Sequence, residues 1–267
     1  MDKKTLCIVG CGYLGNVVAG AWKAGLLPGY DLAGVYSRTF DHAQLTAQAA
    51  GCRACRTLEE LLAEKPDFVV ETAGGPGLRE IAVPVLRTGA QLVVISAGAF
   101  ADEAFLEQVR RTAQENGTRV HIASGAVGGF DVLRTVALMA RAKGEALEAR
   151  LWTHKGPASL KGTPVFSDEL MASETERDVF DGSAREAIAQ FPTKVNVAVA
   201  AALASAGAGQ TGVKITSVPG FVGDDHRITA QAAGVRADVD IYSETSEIAG
   251  WSIVSLLQNL ASPLVFY

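Results

Sequence analysis

The sequence predicts an α/β protein: a doubly wound parallel sheet in the first half and a second α+β domain with an open mixed sheet in the other. Three observations predict it. From residue 5 to about residue 123, short apolar strands alternate with amphipathic helices, the rhythm that produces a parallel sheet covered by helices on both faces. Gly10, Gly12 and Gly15 form a Gly-x-Gly-x-x-Gly turn between the first strand and the first helix. Beyond residue 124 the rhythm changes to longer strands with looser alternation.

Residues 5–9 read as a strand and 14–24 as a helix, with the glycine turn between them. Gly10 permits the tight turn, Gly12 lets the backbone approach a ligand, and Gly15 lets helix and strand pack closely. The first helical residues, Tyr13 and Leu14, add unpaired N–H groups and the positive end of the helix dipole. Strand, turn and helix in this order hold a pyrophosphate, which makes the first domain a Rossmann domain. Residues 31–36 form the second strand, and Thr57 with Glu60 forms a capping box opening a helix through Leu62. Residues 68–71 are an apolar strand, 72–76 a loop, and a helix follows to about Arg87. Strands at 92–96 and 119–123 flank a helix at 102–116 that Gly117 ends. In the second half a glycine-rich turn at 124–129 leads to a helix at 130–140. Strands are expected at 147–153, 177–180, 212–218, 227–233 and 235–242, with a helix at 183–190, an alanine-rich segment at 195–206 and a final helix at 246–260. Residues 1–124, rejoined by 246–267, are expected to form the dinucleotide-binding domain, and 125–245 the substrate and dimerisation domain. An open sheet is expected to offer a broad apolar face to a second copy, giving a homodimer.

Composition narrows the function classes. The chain has 267 residues, 48% hydrophobic and 20% charged, ordinary for a globular protein. A net charge of −5 with no basic stripe argues against nucleic acid as a partner. The first five residues lack the features of a signal peptide, and no uninterrupted apolar run could cross a bilayer, so a cytoplasmic protein without a membrane partner is expected. Cysteines stand at positions 7, 11, 52 and 55. Cys52 and Cys55 form a C-x-x-C without the second pair a zinc site needs, so packing roles and no metal are expected.

The second strand ends at Tyr36, Ser37 and Arg38, with no carboxylate to take a ribose 2′-hydroxyl. Arg38 could pair with a 2′-phosphate, so the cofactor is NAD or NADP, with NADP accepted alongside or in preference to NAD. Ala73, Ala97 and Gly98, in loops after later strands, are small enough to leave room for the nicotinamide half. Of the four histidines, His42 reads as a surface residue, His121 as packed in a strand, and His154 as ending a strand beside a cleft. His226 follows Asp224 and Asp225 in a segment read as a Gly- and Pro-rich loop, where an adjacent carboxylate would orient its ring and raise its pKa.

The glycine turn, residues 95–102, 124–131 and 191–198, and the late His226 together resemble the L-aspartate dehydrogenase family. The resemblance implies NAD(P)-dependent oxidation of L-aspartate to iminoaspartate, which hydrolyses to oxaloacetate and ammonia, or the reverse amination. It implies that Ala126 and Asn196 contact the cofactor, that His226 is the catalytic residue, and that the product can feed pyridine nucleotide biosynthesis. A small dicarboxylic amino acid or keto acid needs cations, and Lys155 and Lys161, flanking the turn at 156–160, are the candidates. Backbone N–H groups of 125–129 could add an anion nest. The chain departs from the family at Val218-Pro219, where an Asp-Pro is usual, at Asp224, where Asn is usual, and at 247–252, which replaces an Asn-Pro-Lys-Thr-Ser run. Two alternatives remain at this point. One is a related reductase of another imine, keto acid or aldehyde, of the homoserine dehydrogenase or dihydrodipicolinate reductase kind. The other is a non-catalytic NAD(P)-binding sensor.

Overall fold

The computed structural model describes residues 3–192 and 195–266, so Met1, Asp2, Thr193, Lys194 and Tyr267, including two positions of the 191–198 segment, lie outside it. The chain divides into two compact units, residues 1–125 with 247–267, and residues 126–246.

The first unit is built on a six-stranded sheet in the order β3-β2-β1-β4-β5-β6. Its strands are β1 (Lys4–Val9), β2 (Tyr30–Tyr36), β3 (Arg53–Cys55), β4 (Phe68–Glu71), β5 (Gln91–Val94) and β6 (Val120–Ile122). Every pairing is parallel. Strand order reverses between β1 and β4, so the chain leaves these neighbours in opposite directions and opens a crevice at their carboxyl ends. The helices are α1 (Tyr13–Lys23), α2 (Phe40–Ala50), α3 (Leu58–Leu62), α4 (Gly74–Arg87) and α5 (Glu103–Glu115). Asp102 caps α5 by accepting from the N–H groups of Ala104 and Phe105.

Two local readings are adjusted. Thr57 accepts from the Glu60 N–H, but Glu60 reaches back to Arg56 N–H, one residue before the cap, so the box is displaced rather than reciprocal. The loop expected at 72–76 is already helix from Gly74, with Pro76 in the first turn, where its missing N–H costs nothing. Cys52 and Cys55 border and end the short strand β3, and all four cysteines are free. Burial pushes the Cys7 thiol up to about 12 and those of Cys11 and Cys52 up to about 11, so they stay protonated. Among the described residues no group of three His, Cys, Asp or Glu side chains could hold a metal.

The final helix, α10 (Glu247–Ala261), packs on α1 in this same unit. Ile253, Val254 and Leu257 are buried in its core, each contributing about 2 kcal/mol by leaving water. Gly250 allows the approach: a Cβ there would stand 2.8 Å from Val17 Cβ. Ser252 Oγ accepts the Gly125 N–H at 3.0 Å. The residues replacing the family's Asn-Pro-Lys-Thr-Ser run thus carry helix packing, and Gly125 is no longer an open donor for a nest.

The second unit is a mixed five-stranded sheet in the order β11-β10-β7-β9-β8. It comprises β7 (Glu148–Lys155), β8 (Arg177–Ser183), β9 (Gly212–Ser217), β10 (Asp224–Ala232) and β11 (Val235–Ser243). Only β7 and β9 pair in parallel. Helices α6 (Phe130–Lys143), α8 (Ala184–Gln190) and α9 (Asn196–Leu203) cover one face, while the short α7 (Asp168–Met171) follows the connection after β7. Leu151, Val213, Ile215, Ile228 and Ala230 point into the core beneath the covering helices. Alternation turns Glu148, Arg150, Trp152, Thr229 and Gln231 to the other face. That face is therefore polar and charged, not the broad apolar surface expected, because only the helix-covered side needed apolar residues. Arg150 lies 5.4 Å from the Trp152 ring centre and pairs with Asp181 there.

Candidate active site and cofactor cradle

In the first unit, β1 delivers Gly10 to the switch point beside the connection after β4. Gly10 has φ +101°, and a Cβ on it would sit 2.5 Å from the Thr72 carbonyl carbon. Thr72 Oγ1 donates to Gly10 O at 2.6 Å, stitching the two connections together. Gly15 is as tightly held, since its Cβ would fall 2.0 Å from Gly10 O. Gly12 differs: it is exposed and nothing lies within 4 Å of its absent Cβ. No side chain caps α1 and its first turn holds no acidic residue, so its leading N–H groups face no competing anion. A backbone cradle open at Gly12 and closed behind by Gly10 and Gly15 fits a dinucleotide's pyrophosphate.

Around this turn, Tyr13 is 56% exposed, Leu14 and Ser37 are half-buried, and Arg38 is exposed just past β2. Ala73 is exposed at the start of α4, whereas Ala97 and Gly98 are buried in a 3-10 turn (Ala97–Ala101). Sequence reasoning passed over Glu71, the carboxylate that ends β4. It is fully buried, and burial pushes its carboxyl above the ordinary range against the pull of hydrogen bonds from Ser96, Ala73 and Gly74. The signal for it was an acid closing a strand otherwise buried on both faces.

In the second unit, His226 is not in a loop but the third residue of β10, 2% exposed on the helix-covered face. It pairs in register with Thr153 of β7, whose Oγ1 lies 3.0 Å from His226 Nδ1. Two residues along each strand on the same face, the buried Lys155 forms an ion pair with Asp224. His226, Thr153, Lys155 and Asp224 thus form one cluster at the end of the sheet. Because β10 is a strand, Asp225 points to the opposite face and meets His154 Nδ1 at 3.1 Å. It cannot be the carboxylate that orients the His226 ring. Thr153 was missed, its i, i+2 spacing with Lys155 being the available signal, and Asp224, read as a carboxylate beside the imidazole, pairs with Lys155 instead. Lys161 is exposed, 6.0 Å from the Phe166 ring centre, and is not brought into this cluster. Ala126 and Asn196 belong to the second unit, Asn196 opening α9. His121 is bonded to Gln91 and His42 is exposed, as expected.

The His226 pKa moves opposite to expectation, from 6.5 down to about 4. Burial is the main cause and the Lys155 charge the second, with Asp224 and Asp225 pulling weakly the other way. The folded protein therefore holds a neutral imidazole. An unfolded chain protonates it below 6.5 and the native state only near 4, so its contribution to stability is present above 6.5 and lost as pH falls towards 4. The shift corresponds to on the order of 3 kcal/mol. Thermal melting across this window should fall more steeply for the wild type than for His226→Gln, and equal slopes would contradict the assignment.

Two family profiles cover most of the chain: "Homoserine dehydrogenase, NAD binding domain" matches residues 10–123, and "Aspartate dehydrogenase, C-terminal" matches residues 136–260. The L-aspartate dehydrogenase of Methanosarcina barkeri is 30% identical, with 96% of this chain and 97% of that protein aligned. That of Cupriavidus necator is 32% identical over 95% and 96%. Among solved structures, aspartate dehydrogenase from Thermotoga maritima superposes with a TM-score of 0.73 at 24% identity, covering 99% of each chain. GenD2 of gentamicin A biosynthesis, solved with NAD, shares the fold at a TM-score of 0.59 and 15% identity, over 98% of this chain and 87% of that one. With identity at this level running almost end to end, the chain belongs to the L-aspartate dehydrogenase family.

Proposed function

We propose that the protein is an NAD(P)-dependent L-aspartate dehydrogenase, converting L-aspartate to iminoaspartate and thence oxaloacetate and ammonia, or running the reverse amination. The observation that carries this reading is the buried, neutral His226 beside the Lys155–Asp224 pair, in a chain whose relatives bear that name across nearly their whole length.

The turn of Gly10 and Gly12 with Tyr13 and Leu14 would hold the nicotinamide cofactor, which would supply the hydride acceptor. Ser37, Arg38 and Ala73 extend its contacts, and Ala126 and Asn196 are carried over from the family. Lys155 offers its ammonium to a substrate carboxylate while its ion pair with Asp224 orients it. The neutral imidazole of His226 takes the proton that the substrate nitrogen loses as the C=N bond forms. Once the imidazolium has passed that proton to solvent, the imidazole draws a second proton from the water that adds to the imine carbon. Substrate carboxylates beside the imidazole would favour its protonated form and so strengthen it as a base.

Incubation with a panel of amino acids and NAD+ or NADP+, and with keto acids, ammonia and the reduced cofactors, tests the reading by nicotinamide absorbance. L-aspartate and oxaloacetate should give the highest kcat/KM. Turnover of another imine or aldehyde alone, or cofactor binding without turnover, would refute it. The exposed Arg38 and the absence of a carboxylate among residues 36–39 favour acceptance of NADP. Arg38→Ala should cut kcat/KM for NADP about tenfold or more, the value of one charge-assisted hydrogen bond, and leave NAD within about twofold. Equal loss for both cofactors would exclude a 2′-phosphate contact.

The finer parts of the reading are a homodimer and a cytoplasmic setting. The sheet face opposite the covering helices supports the first, since a two-fold axis can lay the same face of a second copy against it. Four free cysteines support the second, fitting a reducing compartment. No helix among the described residues is long and apolar enough to cross a membrane.

A further inference from the structure

We infer that Glu71 is a positioning residue for the nicotinamide half of the cofactor, an inference that rests on the cofactor reading above and adds a role that the glycine turn does not cover. Glu71 ends β4, next to the switch point, and is completely buried. Its Oε1 accepts from the N–H groups of Ala73 at 2.7 Å and Gly74 at 3.0 Å, and from the Ser96 hydroxyl at 2.8 Å. Its Oε2 accepts the Ser96 N–H at 3.1 Å. One carboxyl group therefore ties the connection after β4 to the connection after β5. Thr72, between Glu71 and Ala73, ties the first of these to Gly10. Three strand ends on the rim where dinucleotides bind in such sheets are held by one chain of hydrogen bonds.

A carboxylate is a costly way to make this tie. Among the described residues no cation pairs with it, so its desolvation is offset by N–H and O–H donors alone. A capping Ser or Asn could have closed α4, and apolar residues could have packed β4 against β5. What four acceptor bonds from one residue provide, and those alternatives do not, is a fixed separation of the two connections. Ala73 is left exposed on one side and Ser96 begins the 3-10 turn on the other. The pyrophosphate cradle meets the first connection through Thr72, whose bond to Gly10 does not involve the Glu71 carboxyl, so the effect of Glu71 should fall on the far half of the ligand.

The test compares whole cofactor with fragment. Wild type, Glu71→Gln and Ser96→Ala are titrated with NADPH, NADH, ADP-ribose and 2′-phospho-ADP-ribose, and their melting temperatures recorded. Glu71→Gln puts an amide N–H against the Ser96 N–H. It should weaken binding of both reduced cofactors at least about tenfold and leave both fragments within about twofold. Ser96→Ala removes one donor and should weaken the cofactors less, with the same indifference of the fragments; it carries the comparison if the Gln variant does not fold. Parallel weakening of cofactor and fragment, or no weakening of either, overturns the inference. Wild-type protein that binds neither cofactor nor fragment overturns the cofactor reading and this inference with it. Intact fragment selectivity without aspartate turnover upholds Glu71 and faults only the reaction.

Discussion

Replacing His226 with Asn should lower kcat for aspartate oxidation by about a hundredfold to ten-thousandfold, the usual worth of a positioned acid–base group, and leave the Kd for NADPH and NADH unchanged. The fold should survive. His226 is neutral in the native state, its imidazole hydrogen-bonds with Thr153, and an Asn amide can keep that contact. What Asn cannot do is take up a proton. The substituted enzyme should therefore lose the acid limb of its kcat/KM profile as well as its rate, which separates a proton-transfer role from simple mispacking. Steady-state kinetics across pH, with cofactor titration alongside, decide the matter. Near-normal turnover, or a reduced rate with the acid limb intact, would remove the imidazole from the chemistry.

Gly12→Ala and Gly15→Ala should separate the two jobs of the glycine turn. Gly12 has φ −84° and ψ −162°, extended backbone that alanine adopts, and open space where its Cβ would be. The fold should hold within about 0.5 kcal/mol. The added methyl would stand where a pyrophosphate must approach the backbone, and NADPH binding should weaken about tenfold or more. At Gly15 the methyl would meet Gly10 O at 2.0 Å and Thr72 Oγ1 at 2.9 Å, so helix and strand must separate. Overpacking of this kind costs about 1–3 kcal/mol, and melting temperature and cofactor affinity should fall together. Calorimetry with fluorescence titration of the reduced cofactor distinguishes the two patterns. Wild-type affinity in Gly12→Ala would mean that the turn does not hold phosphates.

Some of the fold was legible because it is written in neighbouring residues. The β1–turn–α1 unit and the helices expected to open at residues 102 and 183 depend on groups only a few positions apart, and they formed close to where they were read. Misreadings came where local punctuation pointed to the wrong structure. Pro76 and two glycines suggested a loop, but proline is harmless in a first turn and α4 begins there. Pro219, Gly220 and Gly223 suggested that His226 lay in a loop, but β10 starts at Asp224.

The sequence by itself determined the parallel sheet with its glycine cradle, the change to a mixed sheet after residue 124, and the return of the last helix as an amphipathic element. Its charges made Lys155 and Lys161 candidates for holding a substrate, and the family resemblance made His226 a candidate for the chemistry. Only the tertiary structure decided what those residues touch. His226 meets Thr153 from 73 positions away, and Lys155 meets Asp224 across 69. Strand pairing sets those contacts, and a shift of one residue in register would exchange Asp224 for Asp225 and turn the imidazole to the opposite face. Glu71 gains its partners the same way, because β4 and β5 must lie side by side before one carboxyl can reach both connections. Periodicity along a chain reports which face a residue prefers; the neighbour across the sheet is fixed by packing of the whole domain.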